Sequence, residues 1–233
     1  MTVSHFHKQM EALRQDLAGM GILVKRAIQD AARAFTARDF DLATQVVRRD
    51  RDINMLENSI EERCITLLAT QQPVASDLRF LTTSMKICNA LERMADQGVN
   101  LAQRAMALAR MEHMATPVLI EEMAVIAVEM TDRCVQAYQE RNLLKCHELC
   151  DRDDDLDELN HRLFREMVAW MTEENRVVRR AMECILAARH LEKIGDGATD
   201  IAEEVFFLVE GRSRRVQANP GPALCDAQPV QPL

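Results

Sequence analysis

The chain has 233 residues, a formal net charge of −8, and 48% hydrophobic residues of which few are aromatic. That balance argues against a nucleic-acid partner, because phosphate contact needs a basic footprint and base stacking needs exposed rings. No apolar run approaches the roughly 18 residues of a membrane span and no charged-then-apolar leader opens the chain, so a cytoplasmic protein is expected.

The punctuation predicts six long helices. The first runs from about Ser4, read as its N-cap, to Thr36. Asp39 caps a second that continues to about Thr70 and is closed by Pro73. A third starts near Ser76 and reaches Met111. Thr116-Pro117 opens the fourth, residues 117–140, with Pro at the first helical position. Asn142 caps a fifth to about Glu173, and Asn175 caps a sixth that stops at Gly211. Helices of this length joined by loops of a few residues lie antiparallel. The fold class is therefore all-α: two tandem antiparallel three-helix bundles over residues 1–114 and 115–211. The Pro-containing segment 212–233 reads as a disordered tail. Seven cysteines (Cys64, Cys88, Cys134, Cys146, Cys150, Cys184, Cys225) form an odd set without CxxC knuckles. They read as small buried hydrophobes in a reducing compartment.

The two bundles are related by duplication. LERMADQGVNLAQ at 91–103 returns as LEKIGDGATDIAE at 191–203. Glu92/Glu192 and Asp96/Asp196 are identical, Arg93/Lys193 keep their charge, and Asn100 becomes Asp200. On a helix, positions 92, 96 and 100 fan across about 80° of one face and climb about 12 Å, so the acidic groups form a ladder. The helices before the ladders match too. Ile53, Leu56 and Ile60 repeat as Leu156, Leu159 and Leu163, which sets Asp50, Asn54 and Glu57 over Asp153, Asp157 and Asn160. Each half thus carries a second acidic stripe.

Like charges one turn apart cost a few tenths of a kcal/mol, and surface charges have no physical reason to keep register through a duplication. A cation explains both. Carboxylate oxygens from two neighbouring helices suit a hard ion or a small bridged cluster. One site would use Glu92 and Asp96 with Asp50 and Glu57, the other Glu192, Asp196 and Asp200 with Asp153 and Asp157. Against this stands a solvated helix face paired with Arg93 and Lys193. Glu158 and His161 form an ExxH, but a di-iron oxidase needs two such motifs, and only one is present. Cys146-His147-xx-Cys150 offers too few ligands for structural zinc and reads as core. His190, beside the second ladder, is a weaker ligand candidate. No nucleophile elbow or phosphate-cradling glycine loop appears, so no catalytic residue is assigned.

Pro73-Val-Ala-Ser-Asp-Leu-Arg79, Leu91-Glu-Arg-Met-Ala-Asp96 and His190-Leu-Glu-Lys-Ile-Gly-Asp196 together resemble the PhoU family, over about residues 4–210. The resemblance implies a non-enzymatic cytoplasmic regulator of phosphate uptake and a negative regulator of the phosphate-starvation response. It would link the ATPase subunit of the phosphate ABC transporter to a sensor histidine kinase, as a homodimer reaching the membrane only through these partners. It also implies a divalent or multinuclear metal (iron, or zinc, manganese or magnesium) on the acidic faces. That carries to Glu92, Asp96, Glu192 and Asp196 first, then to Asn100, Asp200, Asp50, Glu57, Asp153 and Asp157. Met94-Ala95 replaces the Ile-Gly usual in the first signature, a change that touches helix packing, and Asn160 opposite Glu57 makes the two sites unequal. An accessory protein of a different phosphate transporter and a carboxylate-bridged oxidase remain the alternatives.

Overall fold

The computed structural model describes residues 3–112 and 116–212. They fold into α1 (Val3–Ala37), α2 (Phe40–Gln71), α3 (Ser76–Ala109), α4 (Val118–Glu140), α5 (Leu143–Glu173) and α6 (Val178–Glu210), with a 3-10 turn at Asn175–Val177 before α6. The fold class is all-α as expected. The expected boundary at 114/115 and the tail beyond Arg212 lie outside the described residues.

Two of the predicted caps act as read. The Asp39 carboxylate accepts from Leu42 N at 2.9 Å, and the Asn142 side chain accepts from Leu144 N at 3.0 Å and Lys145 N at 3.4 Å. Gly211 closes α6 with φ 73°, the left-handed cap that glycine adopts without strain. Three starts differ. Helix α1 already includes Ser4, so that residue does not cap it. Helix α4 starts one residue later than expected, with Pro117 at its N-cap, while the Thr116 hydroxyl donates to Thr36 O at 3.4 Å. Asn175 opens the 3-10 turn instead of capping α6, and Val177 in that turn is buried.

The turns before α2 and α5 share a further device. Arg38 and Arg141 take left-handed conformations, φ 54° and 52°, immediately before the two Asx caps. Arg38 also donates to Leu108 O, to Met111 O at 2.7 Å and to Glu112 O at 3.0 Å. A cation thereby caps the carbonyl end of α3, where the helix dipole favours positive charge.

Within each half the three helices pack on one another, and the halves meet through α3 against α6 and α1 against α4. Helices α2 and α5 are outermost. One hydrophobic core runs through both bundles, from Leu17 and Phe35 through Leu91 and Met94 to Leu191, Ile194 and Phe206. Five of the six described cysteines are buried in it, and burial pushes the thiols of Cys64 to about 11 and Cys88 to about 12. They behave as apolar fillers.

The α3–α6 seam is antiparallel. Lys86 Nζ meets Glu204 Oε1 at 2.9 Å, Arg93 Nη2 meets Asp200 Oδ2 at 2.7 Å, Gln97 Oε1 meets His190 Nδ1 at 3.0 Å, and Arg104 Nη1 meets Glu183 Oε2 at 3.3 Å. Between these pairs the backbones approach closely at Gly197, where a Cβ would stand 2.5 Å from Met94 Cγ and 3.1 Å from its Sδ. Replacing Gly197 by leucine should therefore destabilise the protein by about 1–3 kcal/mol through overpacking. Urea denaturation checks this, and Met94→Ala in the same background should recover part of the loss.

Candidate functional site

Each ladder faces the outer helix of its own bundle. Helix α3 presents Glu92 and Asp96 to Asp50 and Glu57 of α2, and the four are close enough to perturb one another. Burial raises the Glu92 carboxyl above its ordinary value, and Asp96, Glu57 and Asp50 raise it further. Asp50 is raised by burial and then by Asp96, and Glu57 by burial, Glu61 and Asp96. Asn54 sits among them and donates from Nδ2 to Asp50 Oδ2 at 3.1 Å. The remaining oxygens, Asp50 Oδ1 and Asn54 Oδ1, are buried without a hydrogen-bond partner. Orphaned buried oxygens are costly, and both are acceptors, so a proton, a cation or a donating water would relieve them.

The second site is the same arrangement with more burial. Asp153 of α5 lies close to Asp157 of its own helix and to Asp196 and Glu192 of α6. Its carboxyl is pushed up to about 7, first by desolvation, then by Asp157, Asp196, Asp154 and Glu192. Asp196 is also raised, by burial, Glu192, Asp157 and Asp200, with Lys193 opposing. Gly195 makes the burial possible. A Cβ there would stand 2.6 Å from Leu156 Cδ2 and 3.0 Å from Asp153 Oδ1, so the α5 carboxylate rests on bare α6 backbone. The first half has Ala95 at that position.

A cleft of about 700 Å³ opens beside this second site where α3, α5 and α6 meet, lined by Arg93, Asp153, Asp154, Asp196, Asp200 and Lys193, among others. Asp200 is drawn across it to Arg93, whereas Asn100, its uncharged counterpart, leaves Lys193 no equivalent ion pair. His190 faces α3 through its bond to Gln97. Burial, helped by Arg104, Lys193 and Arg189, lowers its pKa to about 4, so it is a neutral seam residue at ordinary pH. Asp157 lies near His161, whose charge works against the upward push of burial. That contact uses half of the lone ExxH within the acidic stripe.

The structure thus brings Asp50, Glu57, Glu92 and Asp96 together, and likewise Asp153, Asp157, Glu192 and Asp196. Asp200 lies close enough to raise Asp196, while its own carboxylate is taken up in a cross-bundle pair with Arg93. Sequence reasoning placed Arg93 with its own ladder and left Asn54, Asp154 and Gln97 out of the site. The antiparallel register of the repeat, which brings position 93 of one half to position 200 of the other, was the available signal. Among the described residues no three His, Cys, Asp or Glu side chains form a ready-made cage for a metal ion in the conformations seen. The donor chemistry nevertheless fits a hard divalent cation: carboxylate and amide oxygen, carboxylates raised by burial and then by their neighbours, and in the first site two buried oxygens without a donor.

The PhoU domain model matches residues 17–105 and 120–205, one match per bundle. The chain is 34% identical to the phosphate-specific transport system accessory protein PhoU homolog of Clostridium acetobutylicum, over 91% of this chain and 97% of that protein. It superposes on the crystal structure of PhoU from Pseudomonas aeruginosa with a TM-score of 0.85 and 34% identity, covering 89% of this chain and 100% of that one. The phosphate transport system regulatory protein PhoU from Streptococcus pneumoniae also gives a TM-score of 0.85, at 25% identity, covering 91% of this chain and 100% of that one.

The raised Asp153 carboxyl makes a pH prediction. Its ordinary value is 3.8 and its folded value about 7, so between these the native state holds a proton that the unfolded chain has lost. The associated stability is complete below the lower value and lost as pH rises through the upper one. In cation-free protein, the advantage of Asp153→Asn over wild type should therefore grow from about pH 4 to about pH 7 and level off above. Denaturant titrations at a series of pH values measure it, and a flat difference would contradict the assignment.

Proposed function

The chain belongs to the PhoU family, and on that premise we propose that it is a cytoplasmic, non-enzymatic accessory protein of a phosphate transport system. It regulates phosphate uptake and holds the phosphate-starvation response off when phosphate is plentiful. In this reading it is an adaptor between the ATPase subunit of the phosphate ABC transporter and a sensor histidine kinase, and it works as a homodimer. No helix among the described residues is long and apolar enough to cross a membrane, which accords with contact to the membrane only through these partners.

A divalent or multinuclear metal, with iron, zinc, manganese or magnesium as the candidate ions, decorates the acidic faces. Asp50, Glu57, Glu92 and Asp96 would hold it in the first bundle, and Asp153, Asp157, Glu192 and Asp196 in the second. Bound there, the ion supplies positive charge that relieves the repulsion between α2 and α3 and between α5 and α6. The chain's own groups fix the geometry: Gly195 admits Asp153 onto α6, Asn54 orients Asp50, and neutral His190 keeps a second cation out of the seam. The observation that carries this reading is the pair of acidic ladders, each aimed at a second acidic stripe, with the orphaned oxygens of Asp50 and Asn54 between them.

A phosphate-starvation reporter in phosphate-rich medium tests the regulatory reading. Deleting the gene should switch the reporter on, and a silent reporter would reject the reading. Glu92→Ala with Glu192→Ala should reproduce the deletion if the ladders carry the signal. For the metal, adding Mn2+ to chelator-treated protein should raise Tm, and the rise should shrink in Asp96→Asn with Asp196→Asn. A Tm unmoved by Mn2+ would remove the metal from the proposal.

A further inference from the structure

Helices α1 and α4 leave an exposed face along their line of contact. They run antiparallel, tied by Lys25 Nζ to Asp132 Oδ1 at 2.8 Å near one end and by the Thr116 hydroxyl to Thr36 O at 3.4 Å near the other. Between these ties lies a furrow of about 570 Å³, lined in part by Ala32, Ala124, Val125 and Val128. Val125 is 66% exposed, and Val118 on α4 and Ile22 on α1 extend the apolar surface at 66% and 65%. Positions 118 and 125, two turns apart, share one stripe of α4 that a solvated helix would fill with polar residues. The rims of the furrow carry opposite charge. On the α1 side, Arg26, Arg33 and, from α2, Arg49 all turn to the largely buried Asp30, at 4.0, 3.7 and 3.4 Å, so one carboxylate answers three guanidiniums. On the α4 side, Glu121 and Glu122 are exposed and make no salt bridge among the described residues.

We propose that this face binds the same face of a second copy of the chain. The proposal rests on the homodimer reading above and gives it a surface. A furrow with one basic and one acidic rim complements itself. An acidic or a basic partner would be drawn to one rim and repelled by the other. A second copy, turned about a two-fold axis parallel to the helices, lays its α4 over this α1 and its α1 over this α4. Such an axis preserves the level along the furrow. The two ties set Arg33 level with Glu121 and Glu122, so Arg33 of each copy meets these carboxylates of the other, and Val118 and Val125 are covered between them. The apolar floor then supplies affinity and the charged rims fix the register. The size is sufficient. A 23-residue α4 is about 35 Å long and two packed helices are about 20 Å wide, so the face offers on the order of 700 Å² per copy, near the roughly 800 Å² of a standard interface.

Sedimentation equilibrium of the full chain over a concentration series tests this. Wild type should dimerise. Arg33→Glu sets like charges against Glu121 at two places in the dimer, and Glu121→Arg does the same against Arg33, so each should raise the dimer dissociation constant by about ten-fold or more. Mixed one to one, the two variants should dimerise again at close to wild-type strength, because every such contact in the mixed dimer joins opposite charges. Both variants stay net negative, so general attraction does not account for that recovery. Val125→Lys, at an exposed position, should weaken the dimer without changing the helical circular dichroism of the monomer. Phe164→Ser, 52% exposed on the outer helix α5, should leave the dimer unchanged. A wild-type dimer that Arg33→Glu, Glu121→Arg and Val125→Lys leave intact, one that Phe164→Ser breaks instead, or a mixture that does not recover would overturn this surface and leave the homodimer reading standing. Wild type that stays monomeric at every concentration would overturn both and leave the furrow to another occupant.

Discussion

The rest of this molecule depends on the close antiparallel contact of α3 with α6. Met94 fills the space that Gly197 leaves, and because the residues around them are repeats of one another, the contact relates the two bundles by an approximate two-fold axis. That geometry decides where the acidic ladders go. With one side of α3 and α6 committed to the seam and another to α1 or α4, the ladder face is left to meet the outermost helix of each bundle, α2 or α5. The acidic stripes on those outer helices then complete two similar carboxylate-lined surfaces. Met94 in place of isoleucine in the first signature, and glycine at 197 against glutamine at 97, are coupled choices: a flexible side chain lies over bare backbone.

The electrostatics follow from that placement. Carboxylates on a solvated surface lose little by being near one another, but those pressed between two helices are partly desolvated and their repulsion is less screened. The perturbation is therefore largest where the helices come closest. Gly195 lets α5 approach α6 until Asp153 touches its backbone, and that carboxyl is the one pushed up to about 7. The first half has Ala95 at the corresponding place, and its site uses an amide, Asn54, where the second has Asp157. Both sites are stressed by burial and by charge, and the first also by unmatched acceptors.

Much of this was legible in the chain itself. The six helices, the caps at Asp39 and Asn142, the glycine stop at 211 and the pairing of each ladder with a stripe on the preceding helix follow from periodicity, cap chemistry and a repeat that keeps its register. The misses have local physical causes. Ser4, Pro117 and Asn175 have the chemistry of helix starts, but the boundaries lie a residue or more away, and a 3-10 turn with Val177 buried stands between Asn175 and α6. The partner of Arg93 was missed for a different reason. A charge at helical spacing from other charges suggests an intrahelical pair, and only the crossing of the two repeats, a long-range fact, hands Arg93 to Asp200. His190 was read as a ligand candidate because it stands next to Glu192, although its neighbour along the chain lies on another face of the helix.

The differences between the halves are then more informative than their likeness. Duplication alone would give two equal sites joined by two equal cross-bundle contacts. Instead Asn100 removes the charge from one contact and Asp200 keeps it in the other, Glu57 has no acidic counterpart at Asn160, and glycine replaces alanine only at 195. Gly195 lets the Asp153 carboxylate rest on α6 and Asp200 links the second site to the opposite bundle, while the first site keeps its carboxylates on its own pair of helices. A molecule in which both sites did the same work would have no physical reason to separate them in this way.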